Sequence, residues 1–303
     1  MATRKKVRLG ARSSPLSLAQ AEEVLAPLRL RFPDRSFEVT TISTGGDRDK
    51  ESPLLSLGRG TFVKEIEAAL LGGQIDLAVH SAKDLPADLP DGLTLAGTVP
   101  RQDPRDVLVD RWSLTFDELP EGARIGTSSP RRTAQLKARR PDVQMIPIRG
   151  NVGTRLNKAR GADYDAVLLA AAGLVRLRRQ DEVSEYLSVE VCTPDVGQGT
   201  LAVEVREENE ELLEMLAQID HGPTSAALRA ERSFLGTLGG GCTVPVAAYA
   251  RVDGRRLRIS AMAALPDGSR VIRKDGDWAS DDPVEAGREM AEKLLSAGAR
   301  EIL

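Results

Sequence analysis

What most constrains this chain is the alternation, carried out twice, of short apolar runs with segments of helical periodicity. In the first third, residues 7–11 read as a strand, 37–43 as an alternating strand and 75–79 as a buried strand that ends at His80. Between them a helix starts at Ser14-Pro15, where serine suits the cap and proline the first helical position, and it runs to about Ala26 before Pro27 stops it. Residues 62–71 form an amphipathic segment behind a loop containing Gly58 and Gly60. After PRQDPRD, residues 100–106, the pattern restarts with strands over 124–127, 143–148 and 166–171 and helices over 131–139 and 154–160. Repeated strand-then-helix units predict α/β layers on a mostly parallel sheet. At 303 residues the chain has room for two or three cores.

A return crossing is expected near residues 193–199, because VGQGTLAVEV opens another apolar strand after a Pro/Gly-rich turn. A third region follows: a helix over 225–234 ended by Gly239-Gly240-Gly241, antiparallel strands over 244–250, 256–263 and 269–274, and a last helix over about 283–297. The expected architecture is two hinged α/β domains with a cleft between them and a small C-terminal α+β domain. Residues 1–99 plus 200–219 form the first, 105–194 the second and 220–303 the third.

Charge is unevenly placed. The net value is only −3, but residues 124–179 hold eleven arginines and two lysines against three aspartates, a local +10, while residues 180–220 hold twelve acids against Arg206 alone, a local −11. One region is built to meet anions. With aromatics at 3% and an acidic stretch beside the basic one, nucleic acid is not the expected partner. No run approaches the ~20 apolar residues of a membrane span, and the basic start MATRKKVRLG has no apolar region after it, so a cytosolic protein with no membrane partner is expected. The two cysteines, Cys192 and Cys242, are then reduced thiols. The two histidines, His80 and His221, stand 141 positions apart and no ligand cluster has metal spacing, so no metal is expected. Neither a GxxxxGK[ST] loop nor a GxGxxG follows the first strand.

Several segments carry chemistry. VHSAKDLP places His80, Ser81, Lys83 and Asp84 at a strand's carboxyl end, where α/β sheets place ligand groups, although Lys83 and Asp84 also read as a plain surface ion pair. GTSSPRR puts Thr127, Ser128, Ser129, Arg131 and Arg132 at a strand-to-helix turn, an anion site by helix dipole and guanidinium, or else a solvated basic helix start. IRGNVGTR repeats that logic with Arg149, Gly150, Asn151 and Arg155, and Arg176 follows a third strand. In GGGCTVP the three glycines can present the Cys242 sulfur to a cavity, where nearby cations favour thiolate, or Cys242 fills a turn as a small hydrophobe. Cys192 lacks the glycine setting and is read as structural.

Taken in order, ARSSPLSLAQ, GRGTFVKEIEAAL, DLAVHSAKDLP, RQDPRD, GTSSPRR, RGNVGTRL, YDAVLLAAAGLVRL, VGQG, AERSFLGTLGGGC and SAGAREIL resemble the porphobilinogen deaminase (hydroxymethylbilane synthase) family over nearly the whole chain. The resemblance implies two domains like those of periplasmic binding proteins plus a third that carries the cofactor cysteine. It implies a dipyrromethane cofactor on Cys242 through a thioether, Asp84 as the catalytic acid/base, and porphobilinogen as substrate. Four porphobilinogens are condensed head to tail with loss of ammonia, and hydrolysis releases hydroxymethylbilane for tetrapyrrole biosynthesis. By the same motifs Arg12, Ser14, Arg59, Ser81, Lys83, Thr127, Ser128, Ser129, Arg131, Arg132, Arg149, Gly150, Arg155, Arg176 and Gln198 bind cofactor or substrate. The enzyme is expected to be a monomer that passes its product to uroporphyrinogen-III synthase.

The residue types suit that chemistry, since each pyrrole brings an acetate and a propionate. One carboxylate ~4 Å from a guanidinium gains roughly 4 kcal/mol at an effective dielectric of 20, before desolvation is counted. The segment SLGRGTF departs from the family pattern: it is one glycine shorter than the common form, with Ser56 and Arg59 where lysines are usual. Pro130 is a milder change, suited to a first helical turn. A non-catalytic protein that holds a dicarboxylate or oxyanion is the competing reading, and a protein mass raised by one dipyrromethane separates the two.

Overall fold

The computed structural model describes residues 5–45, 60, 63–239 and 245–303. The chain begins with β1 (Lys5–Ala11), α1 (Pro15–Arg31), β2 (Arg35–Thr41), α2 (Lys64–Leu71), β3 (Leu77–Ser81) and β4 (Leu93–Thr98). A second series follows: β5 (Asp106–Asp110), β6 (Arg124–Gly126), α3 (Pro130–Arg139), β7 (Gln144–Ile146), α4 (Val152–Ala159), β8 (Ala166–Ala170), α5 (Ala171–Arg176) and β9 (Glu185–Tyr186). Next come β10 (Leu201–Arg206), α6 (Glu210–Ala217) and α7 (Gly222–Thr237). The chain closes with β11 (Val246–Asp253), β12 (Arg256–Ala264), β13 (Val271–Ala279) and α8 (Pro283–Ser296). Contacts gather these into two units, one of Met1–Arg101 with Thr200–Ser225, the other of Gln102–Gly199 with Ala226–Leu303.

The two five-stranded sheets share one topology. The first runs β2-β1-β3-β10-β4 and the second β7-β6-β8-β5-β9. In each, the first three strands are mutually parallel and the fourth is antiparallel to both of its neighbours. That reversed strand is the one that adjoins a passage of the chain between units: β5 follows Gln102 and β10 follows Gly199. Four of the five strands in each sheet thus run the same way, as expected of a mostly parallel sheet, and the reversed fourth strand makes each sheet mixed. An apolar run shows that a strand is buried, whereas its direction depends on which unit the chain has just left.

Helices cover both faces of each sheet. Val24, Leu25 and Leu28 of α1 pack with Leu9, Leu77, Val79 and Val203 on one face of the first sheet, and Ile66 and Leu70 of α2 pack with Ala78 and Leu93 on the other. In the second sheet Leu136 of α3 meets Leu108, Ile125 and Leu168, while Leu156 of α4 meets Val107, Val167 and Leu169. The third sheet, β11-β12-β13, is antiparallel throughout. It packs Ala247, Met262 and Ala264 against Ala134 of α3, so that helix is covered from two sides.

Local chemistry explains most boundaries. Ser14 caps α1 by accepting from the Ser17 N–H, Ser129 caps α3 by accepting from the Arg132 N–H, and each is followed by proline in the first turn. These two Ser-Ser-Pro turns occupy equivalent positions after β1 and β6. The expected stop at Pro27 is corrected: α1 runs through it to Arg31. Proline costs a helix interior ~3 kcal/mol, and the burial of Leu28 just past it against the first sheet, worth ~1.5–3 kcal/mol, offsets much of that cost. The strands β4, β5 and β9 and the Asn209-capped α6 were not expected, and β13 extends to Ala279, beyond the expected end at Lys274.

Candidate functional site

In the first unit the parallel neighbours β1 and β3 end side by side. The loop after β1 is pinned, because the Ser17 hydroxyl accepts the Arg12 backbone N–H at 3.0 Å while the Ser14 oxygen accepts the Ser17 N–H at 3.2 Å. After Ser81 the chain makes a 3-10 turn, Ala82–Asp84. The Ala82 N–H donates to the Thr200 carbonyl at 3.0 Å, and the Asp84 carbonyl accepts from the Gly60 N–H at 3.2 Å. Lys83 and Asp84 do not pair with each other, so the surface ion pair does not form. The half-buried Asp84 carboxylate has no hydrogen-bond or ion-pair partner among the described residues.

In the second unit β6, β7 and β8 end together in the same way. Thr127 and Ser129 are held by a hydrogen bond from the Ser129 N–H to the Thr127 hydroxyl oxygen at 3.2 Å. The Ser128 hydroxyl donates to the Ile148 carbonyl at 2.8 Å and accepts the Ile148 N–H at 3.0 Å, fixing the loop after β6 to the loop after β7. Asn151 caps α4 by accepting from the Thr154 N–H. Gly150, at φ +114°, lies where an added Cβ would come 2.6 Å from the Thr154 side chain. Arg176, at the end of α5, donates to the Gly199 carbonyl at 2.9 Å.

Arg131 and Arg132 are buried and share one partner that the sequence did not single out. Asp106 accepts from Arg131 Nη1 at 2.7 Å, from Arg132 Nε at 3.0 Å and from Arg132 Nη2 at 2.7 Å. Gln198 joins through its amide, which donates to Asp106 at 2.9 Å and to the Pro104 carbonyl at 2.7 Å. Burial alone would raise the Asp106 carboxyl, but the two guanidiniums and the Gln198 amide hold it well below the usual carboxylate range. The only sequence signal was an acid opening the apolar run DVLVD, which reads as part of the interruption RQDPRD.

Among the described residues Arg155 is less compensated. Burial, with Arg132 and Arg149 nearby, pushes the Arg155 guanidinium down to about 10. Its Nε donates to the Gly150 carbonyl at 2.8 Å, a neutral acceptor that leaves the charge unbalanced. A group of like charges in this setting favours an arriving anion.

Cys192 is fully buried, and its sulfur donates to Asp106 at 3.2 Å. Burial and the Asp106 charge push the thiol up to about 12, so Cys192 stays protonated and is a poor nucleophile. Arg59 and Cys242 lie outside the described residues. Among the described residues no group of His, Cys, Asp and Glu could hold a metal ion, and no helix is long and apolar enough to cross a membrane.

Two sheets of one topology, each with serine-capped helices and polar loops at the carboxyl ends of its parallel strands, define a two-unit α/β protein with an additional small antiparallel sheet. Two family signatures match: "Porphobilinogen deaminase, dipyromethane cofactor binding domain" over residues 7–214 and "Porphobilinogen deaminase, C-terminal domain" over residues 226–296. The chain belongs to the porphobilinogen deaminase family. Porphobilinogen deaminase from Syntrophomonas wolfei is 45% identical over 300 residues, covering 99% of this chain and 98% of that protein. The enzyme of the same name from Desulforudis audaxviator is 48% identical over 301 residues, covering 99% and 97%. Among solved structures, a periplasmic substrate-binding protein of an ABC transporter from Coxiella burnetii is similar over 75% of this chain and 96% of its own, at 15% identity and a TM-score of 0.44.

Proposed function

We propose that the protein is a transferase of tetrapyrrole biosynthesis that condenses four porphobilinogen molecules head to tail, releasing ammonia at each addition, and then hydrolyses the product free as hydroxymethylbilane. Membership of the family supports the reaction. The observation that carries the site assignment is the half-buried Asp84 carboxylate just after β3, without a side-chain partner among the described residues and within the family's DLAVHSAKDLP segment. A carboxylate there can accept a hydrogen bond from the pyrrole nitrogen of porphobilinogen and balance the positive charge that develops as ammonia departs. The proton that the terminal carbon sheds after attack needs a base within reach, and Asp84 suits that role too.

A dipyrromethane bears acetate and propionate groups, and the residues present fit it: the like charges around Arg155 are relieved by carboxylates. When bound, the dipyrromethane supplies the nucleophilic pyrrole carbon to which the first substrate is joined. We assign its thioether to Cys242, because the chain's other cysteine is the buried, protonated Cys192. Arg149, Arg155 and Arg176 are assigned to carboxylates directly. Arg131 and Arg132 keep a net positive charge after Asp106 is counted, and Gln198 orients that acid. Arg12, Ser14, Arg59, Ser81, Lys83, Thr127, Ser128, Ser129 and Gly150 complete the proposed contacts. We further assign the enzyme to the cytoplasm as a monomer whose unstable linear product passes to uroporphyrinogen-III synthase.

Intact-mass measurement and incubation with porphobilinogen test this reading together. The expected result is a protein heavier than its sequence by one dipyrromethane that consumes porphobilinogen with release of ammonia. A loaded protein that leaves porphobilinogen untouched would overturn it, and an unmodified protein that binds without turnover would favour the non-catalytic alternative.

A further inference from the structure

Beneath the turn that carries Asp84 lies a set of buried ionisable groups that the proposed reaction does not use. His80, the penultimate residue of β3, and Glu204, in β10, have fully buried side chains, and His80 Nε2 stands 3.0 Å from Glu204 Oε2. The register pairs Ala202 with His80 and Glu204 with Ala78, so the two side chains lie on one face of the sheet, two positions apart along β10. That face is the one α2 covers, and Glu67 of α2 is buried there too. Glu204 Oε1 and Glu67 Oε1 have no hydrogen-bond partner among the described residues. Burial and the Glu204 charge raise the Glu67 carboxyl, while His80 and the exposed Lys64 oppose the shift.

The arrangement is costly unless it does something. A buried pair of hydrogen-bonded polar side chains recovers its desolvation only with good geometry, and apolar side chains of similar size can serve stability as well. This pair spans the boundary between β3 and the strand that returns from the second unit, immediately before the Ser81–Asp84 segment. The next link, from the Ala82 N–H to the Thr200 carbonyl, joins the same two strands. Among the described residues Asp84 has no side-chain partner to orient it, so its aim depends on the backbone that these links hold.

We infer that His80 and Glu204 are positioning residues for the condensation reaction, clamping the end of β3 to β10 so that the Asp84 carboxylate is held where the substrate nitrogen arrives. The inference rests on the assignment of Asp84 given above. A misplacement near 1 Å caused by a remote change can lower turnover by as much as ~100-fold.

The test uses holoenzyme carrying its dipyrromethane. Glu204→Gln is expected to lower kcat on the order of tenfold, with KM for porphobilinogen within about twofold, and Glu204→Leu is expected to lower kcat further. A generally destabilising effect would act whatever residue stands at position 84, so the deciding measurement is a double-mutant cycle with Asp84→Asn. If Glu204 acts through Asp84, Glu204→Gln adds little in the Asp84→Asn background. Unchanged kcat in Glu204→Gln, or the same fold loss in both backgrounds, overturns the positioning role while leaving Asp84 in place. Normal turnover by Asp84→Asn overturns the assignment of Asp84 and this inference with it. Should Glu204→Leu not fold, Glu204→Gln and His80→Gln, which keep the volume and one hydrogen-bonding group, complete the cycle.

Discussion

Arg132 grips a single oxygen of Asp106 with two nitrogens, Nε at 3.0 Å and Nη2 at 2.7 Å, inside a shell that excludes solvent from both residues. Arg131 takes the other oxygen at 2.7 Å. One aspartate therefore makes it possible to bury two guanidiniums in α3, where their charge is partly, and not wholly, cancelled.

Asp106→Asn should be strongly destabilising, since it strands two buried cations. The loss expected in urea unfolding is on the order of 3–5 kcal/mol, the range for breaking a buried ion pair from one side. The pH dependence follows from the depressed carboxyl. Its contribution is fully present above the unfolded value near pH 4 and is lost as pH falls toward the folded value. The parent should thus lose stability more steeply than the variant below about pH 4. Equal acid slopes would contradict this.

Arg155→Gln removes a half-buried cation from a group of like charges. The expected outcome is a separation of effects, with KM for porphobilinogen raised on the order of tenfold or more while the thermal midpoint is kept or slightly raised. A fall in stability with KM unchanged would place Arg155 among the structural arginines.

Asp84→Asn retains shape and loses charge. Turnover should fall about 10²- to 10⁴-fold with porphobilinogen still bound, as steady-state and equilibrium binding measurements would show. Retained turnover would take Asp84 out of the chemistry.

Glu67→Gln tests the raised carboxyl on α2. A carboxyl whose folded value is raised binds its proton more tightly folded than unfolded, so its contribution weakens as pH rises above the unfolded value near 4.5. Glutamine has no such dependence. The stability of the variant relative to the parent should therefore increase between pH 4 and pH 7, read from urea midpoints across that ~3-unit span. A constant difference would mean that Glu67 is not raised.

The features legible in the sequence are those determined within a few residues. Ser14 announces its helix because cap and capped N–H lie three positions apart, and Ser129 and Asn151, read only as anion-site residues, cap α3 and α4 with the same spacing. The motif loops likewise fall at the ends of β3, β6 and β7 because each follows directly on an apolar run. What stayed hidden depends on distant partners. Asp106 meets guanidiniums 25 and 26 positions away, Glu204 meets His80 across 124 positions, and nothing in either local sequence distinguishes them from surface acids. Pro27 misleads for a related reason, since the burial that carries α1 past it comes from the sheet beneath. The two-residue β9 is too short to have any period at all.

The reversed fourth strand of each sheet also bears on the order in which the protein is made. In the first sheet β10 lies between β3 and β4, so those two strands remain without their shared neighbour until residue 206 has been synthesised. The second sheet has all five of its strands by Tyr186. During translation the later half can thus close its sheet while the earlier half waits with a gap, and a ribosome stalled between them would leave the first unit with two exposed strand edges open to pairing with another chain.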